Sequence, residues 1–343
     1  MKRPIKKSVW VALLLCLAGA LIWLVSFIAV GFDIKKLGTV SHETNTYEIN
    51  GEFEKIVIDT KTADIRFVLT EGECKLVCHE EARTKHTAAV EGDTLMIWAV
   101  DTREWYDHIG MSFEDTALTL YLPESQFQKL EIESDTGDVE MSDDFRFRWA
   151  TVKTDTGEID WKAPVTERLT IESDTGDVWA EADAFGELHI DTSTGDVKVD
   201  AEIITDLSVV TTTGDITVTS AENQDTASIT TITDTGETLI ENIRCEVCWA
   251  ESDTGKIKIK NVIAGVTGYF VSDTGDVTLE KVDALTNFHI KTDTGDVSGT
   301  LLSKKTFLTE TDTGQINVPK TTGDTECHIT TTTGNINIEV IGK

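Results

Sequence analysis

A six-residue stretch, Ser-Asp-Thr-Gly-Asp-Val at residues 134–139, recurs along the chain with small changes. Its glycine returns at intervals of 19 to 22 residues, at positions 137, 157, 176, 195, 214, 236, 255, 275, 295, 314 and 334. A fixed period in this range is typical of a solenoid, in which each repeat forms one coil stacked on the last. The interval therefore predicts eleven stacked repeats.

Apolar and polar residues alternate on both sides of each glycine. The residue two positions after it is Val or Ile in ten copies, with Thr238 as the exception, and apolar residues recur four after, five before and seven before it. Alternation with period two indicates strands with one buried face. We predict an all-β, single-stranded parallel β-solenoid (β-helix) of about 20 residues per coil, and a right-handed one by the general preference of parallel crossovers.

Hydroxyl residues accompany the corner. Thr precedes the glycine in all eleven copies, and Ser or Thr stands three positions before it. Glycine is favoured at such a corner because it adopts positive φ without steric cost. The phase of the alternation predicts that both hydroxyl columns point inward and bond along the stack, while the acidic neighbours, such as Asp135 and Asp138, face water.

An uncharged apolar segment occupies residues 9–32, and the residues before it carry four basic and no acidic side chains. This length spans a bilayer, and the basic flank favours the cytoplasmic side. We predict a cytoplasmic tail (1–8), a single-pass transmembrane signal anchor (9–32) and an extracellular C-terminal domain. A cleaved signal peptide ending near Ala18-Gly19-Ala20 and a lipoprotein through Cys16 are the alternatives, disfavoured because ten apolar residues follow the first and bulky Leu15 precedes the second.

The remaining sequence divides by how well it follows the repeat. Residues 33–45 form a polar stalk, residues 46–115 an irregular β N-terminal cap, and residues 116–343 the β-solenoid of eleven repeats. Within the cap, Ala63 stands where a degenerate first corner would have its glycine. Residues 101–115 break the strand pattern and include Trp105, Tyr106, His108 and Met111. A capping region is expected because the end of a solenoid must cover open sheet edges.

Charge narrows the range of partners. Lys and Arg number 30 against 61 Asp and Glu, a formal net charge of -31. Such a surface repels phosphates, so nucleic acid and anionic lipid headgroups are excluded as partners. The acidic corner columns could attract divalent cations, but Ser193, Thr212 and Thr332 interrupt one column and Lys256 another. We therefore predict weak, non-selective cation binding and no dedicated metal site.

Asp-Thr-Gly is also the catalytic signature of aspartic proteases, in which two carboxylates share a proton. Here it occurs eight times in step with the coil, whereas those enzymes need one pair. Cys245 and Cys248 suggest a redox or zinc pair, but the chain has no second pair of matching spacing. Cys248 and Cys327 fall in an inward column, and we interpret them as buried thiols four coils apart. No catalytic or cofactor-binding residue is predicted.

Outward positions hold a few rings. His189, His289 and His328 share one column, on coils too far apart along the sequence to form one site, and are predicted to be solvated. Trp249 lies in the same column, and Trp179 is also expected to face outward. Exposed aromatic rings stack on sugars, anchor a partner, or pack against a neighbouring loop, and we favour packing against a loop.

The basic N-terminus with its apolar segment, the strand ending in Leu122-Pro123, and the rows of Ser/Thr-Asp-Thr-Gly-Asp-Val together resemble a known family. It is the bacterial putative-adhesin β-strand-repeat family of membrane-anchored envelope proteins, found mostly in Gram-positive bacteria. The resemblance covers residues 46–343. It implies a parallel β-solenoid on the outer side of the membrane and supplies no catalytic residues; several such proteins are thought to act in envelope-stress signalling.

The sequence thus favours a membrane-anchored, non-enzymatic binding protein, adhesin-like or accessory to envelope-stress sensing, with an unidentified envelope protein or glycan as partner. The alternative is a carbohydrate-active enzyme, because several polysaccharide lyases are parallel β-helices. Those enzymes build clefts from long insertions, whereas the corner interval here varies only between 19 and 22 residues.

Overall fold

The computed structural model describes residues 7–29, 31–32, 40–105, 112, 114–220 and 225–342. Most of the predicted cytoplasmic tail and polar stalk, and Tyr106, His108 and Met111 of the irregular segment, lie outside the described residues. Helix α1 spans Lys7–Ala29. Its residues Trp10–Ala29 have a mean hydropathy of 2.7, so one helix is long and apolar enough to cross a membrane.

All other described elements are strands, which confirms the all-β prediction. The N-terminal cap contains β1 (His42–Glu48), β2 (Lys55–Thr60), β3 (Ala63–Leu69), β4 (Lys75–Glu81), β5 (Thr84–Glu91), β6 (Thr94–Asp101) and β7 (Thr116–Leu122). The first repeats contain β8 (Gln126–Thr136), β9 (Val139–Met141), β10 (Arg146–Thr156), β11 (Ile159–Trp161), β12 (Val165–Thr175), β13 (Val178–Thr194), β14 (Val197–Thr213) and β15 (Ile216–Thr219).

The later repeats contain β16 (Asp225–Thr235), β17 (Thr238–Thr254), β18 (Ile257–Thr274), β19 (Val277–Ala284), β20 (Asn287–Thr294), β21 (Val297–Leu301), β22 (Thr306–Thr313), β23 (Ile316–Asn317), β24 (Glu326–Thr333) and β25 (Ile336–Val340). Every pairing among β8–β25 is parallel, so the predicted parallel β-solenoid is confirmed. Its handedness stays a prediction.

The column of corners explains why glycine recurs. A Cβ atom placed on Gly195 would lie 2.0 Å from the carbonyl oxygen of Gly176 in the coil before it, and at the other ten corner glycines the distance to a neighbouring backbone oxygen would be 1.8–2.4 Å. Close stacking of backbones therefore excludes any side chain. Positive φ contributes as well, at +151° for Gly195, a conformation that other residues rarely adopt.

One of the two hydroxyl columns was predicted wrongly. The Ser or Thr three positions before the glycine is buried in ten of the coils, but the Thr immediately before the glycine is exposed throughout, Thr136 and Thr156 included. The buried hydroxyls do not bond to one another either. In most coils they donate to the carbonyl oxygen of the neighbouring corner glycine, as Ser272 does to Gly255 at 2.9 Å and Thr292 to Gly275 at 2.9 Å.

The acidic residue after the glycine bonds between coils. The side chain of Asp177 accepts a hydrogen bond from the backbone N–H of Asp196 at 2.8 Å, and Asp196 does the same for Asp215 at 2.8 Å. Asn335 takes over this role at the C-terminal end, accepting from the backbone of Gln315 at 3.0 Å. This column therefore stabilises the stack, because each short side chain satisfies a backbone donor that would otherwise need water.

The layers do not follow sequence order at the N-terminal end. The corner at Ala63 stacks on that of Gly137, with Ile65 N–H donating to Asp138 O at 2.7 Å, so the degenerate first corner is confirmed. Strand β7 was expected to open the regular array, but it pairs with the outer side of β3, while β9 pairs with the inner side. Antiparallel strands close this end further: β1 on β4, β4 on β7, and β5 on β6.

The C-terminal end is also out of sequence order. Strand β24 lies between β20 and β22, and β25 lies between β21 and β23. The last coil in the sequence is thus the second-to-last layer, and residues 306–317 form the outermost one. Cys248 and Cys327 are in consequence three layers apart rather than four, about 14 Å at strand spacing, as their register through Gly268 and Phe288 shows.

Candidate functional site

Outward side chains change character along one column of the solenoid. Six positions before the corner glycine, the first coils carry Glu131, Thr151, Thr170, His189, Ser208 and Thr230 in register. The following coils carry Trp249, Tyr269, His289, His328 and Leu308. A repeat that tolerates polar residues at this position therefore replaces them with rings over consecutive coils.

The rings of Trp249, Tyr269 and His289 form a stack, which we call the aromatic ladder. The ring centroids of Trp249 and Tyr269 are 3.9 Å apart at an interplanar angle of 25°, and those of Tyr269 and His289 are 5.1 Å apart at 17°. Strand spacing of about 4.8 Å places rings of successive coils in stacking contact. Trp249 therefore packs as a half-buried ring, but against another ring of the column rather than against the predicted loop.

Because the last coil inserts between two earlier ones, two of the three histidines predicted to lie far apart are neighbours. His289 and His328 are register partners on adjacent strands, so the expectation that the three histidines lie too far apart is wrong for this pair and right for His189 alone. Burial, together with the nearby charges of His328 and Lys291, lowers the pKa of His289. His328 itself is exposed and lies 3.4 Å from a carboxylate oxygen of Glu326.

Apolar side chains surround the ladder on the same outward face. Val247 and Val271 lie two residues from Trp249 and Tyr269 along their strands, and Glu251 accepts a hydrogen bond from Trp249 Nε1 at 3.1 Å. We call the ladder with His328, Val247 and Val271 the aromatic face. Its apolar centre and charged margin have the composition of a protein interface, where Trp and Tyr are enriched and charged residues lie at the rim.

A second group of polar residues is buried in the N-terminal cap, and the sequence reading missed it. Ligand atoms of Cys78, Glu80 and His86 all lie within 4.8 Å of one another. His86 Nδ1 is 2.7 Å from Glu80 Oε2, and His86 Nε2 is 2.8 Å from the hydroxyl of Thr60. Cys78 and Glu80 alternate on β4 while His86 follows on β5, a spacing unlike that of common zinc motifs.

Hydrogen bonds within the chain account for this cluster. Glu80 also accepts from the backbone N–H of His86 at 2.6 Å, from Asn45 Nδ2 at 2.8 Å and from Tyr47 O–H at 3.2 Å. Burial and then Glu80 raise the pKa of Tyr47 to about 12, and the same causes raise the pKa of the Cys78 thiol. A metal would need a thiolate and would have to displace these donors, so the arrangement favours a hydrogen-bonded core.

The other candidate residues from the sequence, namely the cysteine pair, Trp179 and the corner aspartates, do not come together in one site. Cys245 and Cys248 are buried, and contact with the Cys245 thiol, together with burial, raises the pKa of Cys248. Trp179 faces outward and lines a shallow depression of about 180 Å³ with Arg66, Glu140 and other acidic residues. The aspartates two before the glycine are exposed, and within the part of the chain that the structure describes one of them, Asp293, forms an ion pair, with Lys291 at 3.1 Å.

The fold and these surfaces define a parallel β-solenoid with stacked aromatic rings in one outward column. The family model described as Toastrack DUF4097 matches residues 53–242, which is 190 of the 343 residues. The chain belongs to this family, and the family prediction from the sequence is confirmed. No curated protein matches the sequence.

Several solved structures are similar to most of this chain at low sequence identity. A putative adhesin from Parabacteroides merdae is 11% identical, with 88% of this chain and 98% of that chain covered and a TM-score of 0.32. A putative adhesin from Bacteroides fragilis is 15% identical, with 87% and 97% covered and a TM-score of 0.30. A putative cell adhesion protein from Clostridium sporogenes is 12% identical, with 88% and 100% covered and a TM-score of 0.25. At these values the likeness carries no functional argument.

Proposed function

We propose that this protein is a non-enzymatic binding protein of the cell envelope and that its aromatic face binds a protein partner. Helix α1 anchors it in the cytoplasmic membrane, with the N-terminus in the cytoplasm and the solenoid outside. The observation that carries the proposal is the replacement of polar residues by Trp249, Tyr269 and His289 over consecutive coils of one outward column.

The stacked geometry favours a protein over a glycan. Sugars bind aromatic residues by lying on an open ring face, but Tyr269 has Trp249 on one face and His289 on the other. The ladder therefore presents ring edges and the partly exposed Val247 to the outside, with Val271 buried beside it. Such a surface suits apolar and aromatic side chains of a protein, and Trp and Tyr are the residues that most often dominate the binding energy of protein interfaces.

The charge of the chain adds to this choice. A net charge of -31 and the exposed corner aspartates attract a partner whose rim is basic and repel an acidic one. Long-range attraction of this kind raises association rates at low salt and fades at high salt. We therefore expect the partner to carry Lys or Arg around an apolar centre.

The test uses substitutions that the repeat itself supplies. Thr occupies the ladder column at positions 151, 170 and 230, so Trp249→Thr combined with Tyr269→Thr should fold. Trp179→Thr is the matched control, since it removes an outward ring from another column. Full-length protein in native envelope would be photo-crosslinked and its adducts quantified by mass spectrometry. The double variant should lose a protein adduct that the control keeps, because a ring at an interface hot spot contributes about 2 kcal/mol or more.

A second function has one observation in its favour. The depression at Trp179 combines a ring with Arg66 and the carboxylates of Glu140 and Asp160, groups that also occur in saccharide subsites. Incubating the purified protein with acidic polysaccharides tests it. Turnover abolished by Trp179→Thr and unaffected by the ladder variant would establish the enzyme and refute the proposal, as would adducts that contain only glycan.

A further inference from the structure

The outermost coil at the C-terminal end leaves its core side chains uncovered. Ile316 occupies the column two after the glycine and is 45% exposed, whereas Val297 and Ile336 in the same column are fully buried. Phe307 and Val318, also at inward positions, are only partly buried. Among the described strands, β22 pairs with β24 and β23 with β25, and neither has a partner on the other side.

An end of this kind needs a cover. A solenoid is normally closed by a capping repeat with a polar outer surface, and an unpaired edge strand readily pairs with another chain. The described C-terminal residues do not cover this end, because Ile341 N–H donates to Leu301 O at 2.9 Å and so runs beside β21. The end therefore combines an eight-residue strand, β22, that is unpaired along one edge with exposed apolar residues.

Charge identifies the occupant. Over most of the solenoid, acidic corner residues would repel a second copy of the same chain. At this end the two outermost layers keep Asp312 as their one acidic corner residue, because Thr332, Asn335 and Gln315 occupy the other three positions. The layer below has two acidic corner residues, Asp293 and Asp296. Asn337 and Asn317 follow the outermost corners, and their side chains bond to each other at 2.7 Å. Repulsion between two copies is therefore reduced where the apolar end is open.

We propose that the C-terminal end is the interface of a homodimer, in which the β22 strands of two copies pair antiparallel across a two-fold axis. With Thr309 on the axis, Phe307 faces Thr311 and Leu308 faces Glu310 of the second copy. No two acidic side chains are then opposite, which is not so when Glu310 is on the axis. A strand of eight residues and the width of the coil bury about 500 Å² per copy, or about 1,000 Å² in total, which reaches the threshold for a specific interface.

Detergent-solubilised full-length protein tests the interface. Its mass by light scattering should be that of a dimer, and Ile316→Lys should weaken the dimer by about tenfold or more, since a buried lysine at the contact is worth at least about 1.4 kcal/mol. Ile204→Lys is the matched control, because Ile204 is 52% exposed in the middle of the solenoid. Leu308→Lys serves as a second variant if the first does not fold.

Disulfide trapping tests the register. In a Cys16→Ser background, Thr309→Cys should give a dimer on a non-reducing gel, because the two sulfurs meet on the axis, whereas Thr330→Cys on the outward surface should not. Loss of the dimer with Ile316→Lys but not with Ile204→Lys supports the proposal. A monomer for the unmodified chain, a dimer unaffected by either lysine, or one lost with both would overturn it. These outcomes do not depend on the aromatic face.

Discussion

The two ends of the solenoid solve the same problem differently. At the N-terminal end, antiparallel strands cover the stack, and even outer-strand residues such as Leu76 and Leu95 are fully buried. At the C-terminal end the outermost coil follows the repeat, its strands are parallel, and Ile316 is 45% exposed. An irregular segment therefore covers the end of a solenoid, whereas a terminal coil that follows the repeat leaves its strand edges and core side chains open to another layer.

The largest expected effect comes from a buried ion pair that connects the C-terminal layers to the rest of the solenoid. Lys305 is buried, with its Nζ 2.6 Å from Asp283 Oδ1 and donating to Ala284 O at 2.6 Å. Lys305→Met should lower the free energy of unfolding by about 3–5 kcal/mol, because Asp283 keeps an uncompensated buried charge. Chemical denaturation measures this. Adding Asp283→Leu should recover much of the loss, and a single variant of unchanged stability would show that the pair is hydrated.

Core truncations compare the two ends directly. Ile56→Ala, at a fully buried position of the N-terminal cap, should lower the free energy of unfolding by about 2–5 kcal/mol. Ile316→Ala should lower it by less than about 1 kcal/mol, because its side chain is already partly in water. Both are measured by denaturation of monomeric protein. Equal losses would mean that the C-terminal end is covered in solution.

Corner glycines allow the same comparison, because an added Cβ atom clashes with a neighbouring backbone both in the middle of the solenoid and in its outermost coil. Gly195→Ala should lower the free energy of unfolding by at least about 1–3 kcal/mol through backbone strain alone, since coils on both sides fix its position. Gly314→Ala creates a similar clash, 1.9 Å from Gly334 O, but in an outermost coil that can shift outward. We therefore expect a smaller loss of unfolding free energy for Gly314→Ala, measured by the same denaturation experiment. A loss as large as that of Gly195→Ala would indicate that the outer coil cannot shift.

The smallest effect is in pH dependence. The pKa of His289 is lowered in the fold, so its contribution to stability is present above its unfolded value of about 6.5 and is lost as pH falls. The pKa of Tyr47 is raised to about 12, so its contribution is complete below about pH 10 and is lost as pH rises through 12. As the pH falls, the His289→Gln variant should lose less stability than the unmodified chain, by under about 1 kcal/mol in the free energy of unfolding. Melting temperatures at several pH values measure this difference. A larger loss for the variant would mean that the fold raises the pKa of His289 instead of lowering it.

The sequence predicted what depends on the period of the repeat. Buried columns such as that of Leu130 and the corner at Ala63 follow from alternation and spacing, and both are found. The exposed Thr column was missed because the strand ends at the corner, where alternation no longer sets direction. The placement of Asp177 as an acceptor for the next coil also required the actual backbone geometry.

Layer order could not be predicted, for a physical reason. Coils with the same columns pack equally well against one another, so the pattern does not state which coil lies next to which. Strand β7 and strand β24 change places with their neighbours where irregular segments, 101–115 and 318–325, precede them. The pairing of His289 with His328, and thus part of the aromatic face, depends on this exchange.

The insertion of the last coil has a consequence for folding. As the chain folds from its N-terminal end, each coil up to β21 can dock on the layer already formed. Strands β22 and β23 come next in the sequence, and the strand edges open to them at that point are those of β20 and β21, which β24 and β25 occupy in the finished structure. Residues 306–317 therefore reach their final layer only when the last strands insert beneath them. The final strands of the chain, rather than growth coil by coil, complete this end of the molecule.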